Sequence, residues 1–177
     1  MKIQNLVTHA TAWAAFLCYV VALVLRLRTD DPLAGQSRVW WTAGCLMLFV
    51  HVACAFHFVH HWSHREAYEA TAQQTAALTG LASGSGVFVN YAVLAVWLCD
   101  VCWWWWAPSH HESKARKTQW LLHGFLAFVW FNATVIFGHG VIRWLGSAAW
   151  VLLVILCWRR HGARFLQATS RRFSPRN

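Results

Sequence analysis

The sequence predicts an all-α integral membrane bundle of five transmembrane helices, and three observations lead to this fold class. The 177 residues are 58% hydrophobic and only 12% charged, whereas a soluble domain usually carries about 25% charged residues. The apolar residues form five long runs, each close to the roughly 20 residues that a helix needs to cross a bilayer. Short basic segments separate those runs. We therefore expect one transmembrane domain over residues 1–158 and a basic tail over 159–177.

The first span is predicted over residues 6–25, and it ends at Arg26 and Arg28. A cleaved signal peptide carries its positive charge before the apolar core, but here the stronger charge follows the core. We therefore expect a retained helix whose N-terminus lies on the outer side of the membrane. The next segment, Asp30-Asp31-Pro32, predicts a helix end and a new helix start, since Asp is a good N-cap and Pro a good first residue.

The second span is predicted over residues 39–62, and helix-forming residues as far as Leu78 predict that the same helix continues beyond the membrane. Gly80 is a natural C-terminal stop for that helix. The third span is predicted over residues 87–107. It ends in four tryptophans, which are typical of an aromatic anchor at a membrane interface.

Pro108 ends the third span, and Ser109-His110-His111-Glu112 fits a capping box that would start the next helix. The fourth span is predicted over residues 119–137. The tight turn Gly138-His139-Gly140 follows it, and the fifth span is predicted over residues 141–158. The fourth and fifth spans are therefore expected to form a helical hairpin.

The basic residues predict the orientation of the bundle. With five spans and the C-terminus inside, twelve of the fifteen Lys and Arg fall on the cytoplasmic side, and this asymmetry sets topology. The net charge of +9 is thereby explained, and without a basic-aromatic motif it does not indicate nucleic-acid binding. We expect a protein of a bacterial inner membrane, whose partners are the lipid bilayer and other subunits of a membrane complex.

Histidines dominate the outer end of the second span. Five of them fall within fourteen residues, from His51 to His64. At about 100° per residue, four of the five occupy one sector of a helical wheel, and the predicted topology brings two further histidines to the same end. Imidazole binds iron, copper and zinc, so we predict a transition-metal site there, with interfacial polar residues or a proton relay as alternatives. The candidate ligands are His9, His57, His60, His61, His64 and His139.

Other polar residues within the spans carry separate hypotheses. His51 and His123 are candidate ligands of a haem b, one from each of two helices, or else interhelical hydrogen-bond partners. Asp100 is the one carboxylate within a predicted span. It indicates either a functional acid or a hydrogen bond to an indole of the tryptophan cluster or to His123. Asn90 and Asn132 are further candidates at the outer end.

The histidine segment also carries a family resemblance. His57-Phe58-Val59-His60-His61 resembles the HxxHH box of membrane fatty-acid desaturases and hydroxylases, and residues 60–64 resemble their HxxxH box. Those families hold a di-iron centre with several such boxes, which is what the resemblance implies for these histidines. In this chain the two patterns overlap within eight residues and no further box occurs, so we do not assign the family.

Three functions remain open from the sequence. A redox membrane subunit would carry a metal or haem b on its histidines and would pass electrons or activate oxygen. A transporter would move a metal ion or protons along the histidines and Asp100. A non-catalytic anchor would pack its aromatic surfaces against partner subunits. We favour the redox subunit, because six histidines from three helices suit a bound centre better than a conduction path. No arrangement of nucleophile, base and acid for hydrolysis occurs, and nothing identifies a substrate.

Overall fold

A computed structural model of the chain describes residues 3–28 and 34–173, and within them the regular structure is helical, with no strand. Five stretches of these residues are long and apolar enough to cross a membrane: Leu6–Leu27, Gly35–Phe58, Gly86–Trp106, Lys117–Ile136 and Val141–Arg160. The all-α class is confirmed, and so is the prediction of five helices long and apolar enough to cross a membrane. Asp30-Asp31-Pro32 lies outside the described residues. The elements are α1 (Ile3–Arg28), α2 (Ala34–Phe58), α3 (His64–Thr79), α4 (Gly86–Trp106), α5 (Pro108–Glu112), α6 (Arg116–Phe131), a π-helical segment (Asn132–Ile136) and α7 (Val141–Phe173).

Helices α1 and α2 form an antiparallel hairpin and pack along most of their length. The Ser37 hydroxyl donates to the backbone oxygen of Ala22 over 3.1 Å, and His51 Nδ1 lies 2.9 Å from the backbone oxygen of Thr8. Residue numbers therefore rise along one helix as they fall along the other. This arrangement gives the bundle two ends, which we name the His51 end and the Asp100 end after a residue at each.

The centre of the bundle is a cluster of large aromatic rings from four helices. The ring centroid of Trp97 lies 5.0 Å from that of Trp41 and 5.9 Å from that of Tyr19, and Tyr19 lies 6.2 Å from Trp130. Trp97 and Tyr19 are fully buried. Rings of this size leave no room beside Trp97 for a side chain on α2. A Cβ added to Gly44 would stand 2.9 Å from two Trp97 ring atoms, so glycine is required at that contact.

The second span ends earlier than the sequence predicts. Helix α2 stops at Phe58, and His61 and Trp62 adopt positive φ angles of 46° and 60°, a backbone conformation that does not continue a right-handed helix. A separate helix, α3, then begins at a cap: the side chain of Ser63 accepts a hydrogen bond from the backbone N–H of Glu66. The prediction of one continuous helix to Leu78 is therefore wrong. The prediction of Gly80 as a helix stop is confirmed by its left-handed φ of 76°.

The next helix start also differs from prediction. Pro108 opens the short helix α5, because proline is pre-shaped for the first helical turn, and Ser109 therefore lies within α5 instead of capping the fourth span. The fourth span begins separately at Arg116.

The fourth span ends in the π-helical segment, whose side chains bond back to the preceding turn. The Thr134 hydroxyl donates to the backbone oxygen of Trp130 over 2.7 Å, and the Asn132 amide donates to that of Phe128 over 2.7 Å. Regular helix does not persist through Gly138, so Asn132 and His139 do not share one helix face. Helix α7 packs against this segment and continues as one helix beyond residue 158 to Phe173.

Candidate functional site

The four histidines around the end of α2 face different partners. The helix ends at Phe58, so the wheel that gathered these imidazoles on one face does not apply beyond that residue. Within residues 3–28 and 34–173, no group of three His, Cys, Asp or Glu side chains is arranged to hold a metal ion; the metal site stays a prediction. The partners are Trp62 Nε1 for His57 (3.3 Å), the Phe56 ring for His60 (5.7 Å between centroids), Glu66 for His61 (3.1 Å) and the Tyr91 hydroxyl for His64 (2.9 Å).

Two adjoining cavities open at the His51 end. One has a volume of about 340 Å³ and brings together His9 of α1 and His139 of the turn before α7. The other, of about 230 Å³, brings together His51 of α2 and Asn90 of α4. Both are lined by Ala12, Trp130 and Ala133, so the cavities share a wall. Four of the predicted polar residues therefore lie around one region of the bundle.

The two predicted haem ligands lie at different depths. His51 lines the smaller cavity, whereas the ring of His123 packs edge-on to Trp41 at 5.2 Å. Trp41 and His51 are ten residues apart on α2, which corresponds to about 15 Å along a helix axis. The Nε2 of His123 accepts a hydrogen bond from Arg26 over 3.0 Å. The structure does not bring His51 and His123 together.

The most strongly connected polar group lies at the other end of the bundle, around Asp100. Its Oδ1 accepts a hydrogen bond from Lys114 Nζ over 2.6 Å and lies 3.0 Å from His111 Nε2, and its Oδ2 accepts a hydrogen bond from the indole of Trp41 over 3.0 Å. Lys114 Nζ also lies 2.9 Å from His111 Nε2. We name Asp100, His111 and Lys114 the Asp100 cluster. Trp104 covers it, with its ring stacked on His111 at 4.6 Å and 9° between planes.

Burial decides the electrostatics of this cluster. The side chains of His111 and Lys114 are each 1% exposed and that of Asp100 is 8% exposed. A buried ion pair recovers its desolvation cost only with good geometry and further hydrogen bonds, and the bonds from Trp41 and His111 supply these. Burial lowers the pKa of His111 below its usual range. The negative charge of Asp100 raises this pKa and the positive charge of Lys114 lowers it further.

The hydrogen bonds within the cluster depend on which nitrogen of His111 carries the proton. Nε2 of a neutral histidine carries either a proton or a lone pair. His111 Nε2 therefore either donates to Asp100 or accepts from Lys114, and it cannot do both at once. Two bonding arrangements thus differ by the position of one proton on His111, while the heavy atoms stay in place. These two arrangements are neutral tautomers with the same number of protons. Net uptake of a proton makes the ring of His111 cationic, with a proton on both nitrogens and Nε2 facing Asp100.

Positive charge surrounds the cluster. The Arg26 guanidinium lies 5.8 Å from the Trp104 ring, and Arg160 donates to the backbone oxygen of Arg26. The Arg38 guanidinium stacks 3.6 Å over the ring of Trp105. Arg26, Arg38 and Arg160 therefore lie at the same end of the bundle as Asp100.

The sequence pointed to Asp100 but missed two of its partners. His111 was expected in a capping box, and neither His111 nor Lys114 was expected as a partner of Asp100. The indole that meets Asp100 belongs to Trp41 of α2 and not to the tryptophan cluster that ends α4. The sequence did contain one indication of these partners. A carboxylate within a span is usually paired with a cation, and Pro108 turns the chain back toward Asp100.

No family model matches this chain, and neither a curated protein nor a solved structure matches it.

Proposed function

We propose that this membrane protein transfers protons and that the Asp100 cluster is the group that takes up the proton at one end of the bundle. The observation that carries the proposal is the set of contacts among Asp100, His111 and Lys114, each between 2.6 and 3.0 Å, in side chains that are almost fully buried. Ionisable groups at membrane depth are costly and are retained for ion or proton pathways. In the proposed step a proton binds to the neutral His111 ring beside Asp100, and the cationic ring then releases a proton to the pathway.

Three buried polar groups on neighbouring aromatic rings support a proton route from the cluster toward the cavities. The hydroxyl of Tyr19 and the indole N–H groups of Trp97 and Trp130 are buried, and among the described residues none of the three has a hydrogen-bond partner. Their rings lie between Trp41, which bonds Asp100, and the cavities that Trp130 lines. Buried polar groups are ordinarily satisfied, by protein or by ordered water. We therefore propose that water molecules bond to these donors and carry the proton.

The same proposal includes an orientation. Arg26, Arg38, Lys114 and Arg160 all lie at the Asp100 end, and positive residues collect on the cytoplasmic side of a membrane. The cluster then faces the cytoplasm, the C-terminus is cytoplasmic and the N-terminus is outside. That the membrane is a bacterial inner membrane stays a prediction.

Proton flux into liposomes tests the proposal. The full chain is reconstituted in vesicles that contain a pH-sensitive dye, and a potassium gradient with valinomycin supplies the driving force. Wild-type protein is expected to conduct protons, and Asp100→Asn, which keeps the shape but removes the charge, is expected to lose at least about 90% of the flux, because general acid–base groups typically contribute 10²–10⁴-fold.

The matched control is Glu112→Gln, the same change in an exposed carboxyl at the end of α5, which is expected to keep the flux. Folded Asp100→Asn protein that conducts as well as the wild type would overturn the proposal.

A second candidate function, a metal-dependent redox subunit, is favoured by one observation: His9 and His139 line the same cavity. In this proposal iron, copper or zinc binds to these imidazoles, or a haem b is held at the same end. Metal content and an absorption spectrum of the purified protein test it. A stoichiometric metal that is lost in His139→Ala supports this function, and metal-free, folded protein from cells grown with ample iron, copper and zinc counts against it.

A further inference from the structure

The two cavities at the His51 end have the form of a binding site for a small lipophilic molecule. The larger cavity, of about 340 Å³, lies at the lower end of the range in which small ligands bind, and the adjoining cavity adds about 230 Å³ to it. Such sites combine an apolar lining with a few polar groups. We propose that the adjoining cavities bind an aromatic ring compound that carries hydroxyl groups, of the hydroquinone class, which enters from the lipid. The proposal is independent of proton transfer by the Asp100 cluster.

The apolar part of the wall selects for a ring. Trp13, Phe16 and Trp130 line the larger cavity together with Phe137, and Phe56 and Trp130 line the smaller one. Aromatic rings prefer other rings at offset or edge-to-face geometry, with centroids about 4.5–7 Å apart. The side chains already show this packing around the cavity, since Phe16 lies 5.6 Å from Trp13 and 5.4 Å from Trp130. A planar ligand extends the same pattern.

The polar part of the wall selects for a hydroxyl group. His51 Nδ1 lies 2.9 Å from the carbonyl oxygen of Thr8, and because a carbonyl only accepts, Nδ1 carries the proton. In the neutral imidazole Nε2 then has a lone pair and accepts a hydrogen bond. A ligand that bonds to His51 must therefore donate, which a hydroquinone does through its O–H group. The oxidised quinone has only acceptor oxygens.

A second polar contact is available in the same cavity. Asn90 also lines this cavity, and an amide side chain offers both a donor and an acceptor. The neighbouring Tyr91 hydroxyl lies 2.9 Å from His64 Nδ1, so Asn90 is the better partner for a second hydroxyl. A plain alkyl chain would fill the volume but would leave the acceptor on His51 without a donor, which is unfavourable.

Binding of two matched probes tests this site. The purified full chain in detergent is titrated with decylubiquinol and with decylubiquinone by isothermal calorimetry. The wild type is expected to bind the quinol about 3- to 10-fold more tightly, the factor that corresponds to one hydrogen bond. In His51→Asn the amide N–H takes the place of Nδ1 toward Thr8 while the acceptor at Nε2 is removed. This variant is expected to lose the preference for the quinol and to keep the affinity for the quinone.

A second pair of variants tests the location. Ala133 lies on the wall that both cavities share, so Ala133→Phe is expected to weaken both probes at least 10-fold. The control, Ala95→Phe, makes the same change at an exposed position on α4 that lines neither cavity and is expected to bind as the wild type does.

Three outcomes would overturn the inference. They are equal wild-type affinity for quinol and quinone, equal effects of the two alanine substitutions, and no binding of either probe at millimolar concentration. Asp100→Asn is expected to bind both probes normally, so a failure of this site is distinguishable from a failure of the proposed proton pathway.

Discussion

Removing the cation from the Asp100 cluster tests the electrostatic account most directly. In Lys114→Met most of the unbranched side chain is kept, but Asp100 loses the ammonium group that lies 2.6 Å from its Oδ1. Breaking a buried ion pair by removing one partner typically costs about 3–5 kcal/mol, because an uncompensated buried charge remains. The hydrogen bonds from Trp41 and His111 stay in place, so we expect a loss near 3 kcal/mol at pH 8.

The same variant carries an internal check through pH. Lys114 is one of the charges that lower the pKa of His111, so its removal raises that pKa. A protonated His111 then replaces the missing cation beside Asp100, and this contribution is present at low pH and is lost as pH rises through the raised pKa. The difference in stability between wild type and Lys114→Met is therefore expected to shrink between pH 8 and pH 6.

Thermal or denaturant unfolding of the detergent-solubilised protein measures this difference. Lys117→Met is the matched control, because it makes the same change at an exposed lysine in the same segment, where substitutions usually stay within about 0.5 kcal/mol. The double variant Asp100→Asn with Lys114→Met is expected to recover part of the loss, since no buried charge is left without a partner. If Lys114→Met and Lys117→Met unfold alike, the cluster does not hold an ion pair of this kind and the reasoning fails.

Two further predictions concern packing and pH. Gly44→Ala is expected to lower the free energy of unfolding by about 1–3 kcal/mol, because its Cβ overpacks against Trp97. At Gly124 an added Cβ meets nothing within 4 Å, so Gly124→Ala is expected to be neutral or to stabilise by up to about 1 kcal/mol. The same unfolding assay measures both variants. Burial lowers the pKa of His111 in the folded protein, so as pH falls this histidine is protonated in the unfolded chain before it is protonated in the folded one. The free energy of unfolding is therefore expected to fall as pH drops below about 6.5. His111→Gln is expected to flatten that dependence, and an unchanged slope would contradict it.

The features that depend on short stretches of chain could be predicted from the amino-acid sequence. Whether a run of residues is long and apolar enough to cross a membrane follows from its own composition, so the five spans agree with prediction to within a few residues. Gly80 stops α3 as expected because a left-handed terminal residue is a local preference. The charge pattern is local as well, which is why the cations near Asp100 were expected to share one end of the bundle.

Which polar side chains meet depends on how the helices pack. The prediction that four histidines share one helix face assumed that α2 continues beyond Phe58. Instead, His61 and Trp62 have positive φ angles and Ser63 caps the new helix α3. Helix propensity is a weak preference that tertiary contacts override. The partners of Asp100 come from two other segments, from position 41 on α2 and from positions 111 and 114 between α4 and α6. Periodicity carries no information about such pairs, since their free energy arises from burial and opposite charge after the helices have packed.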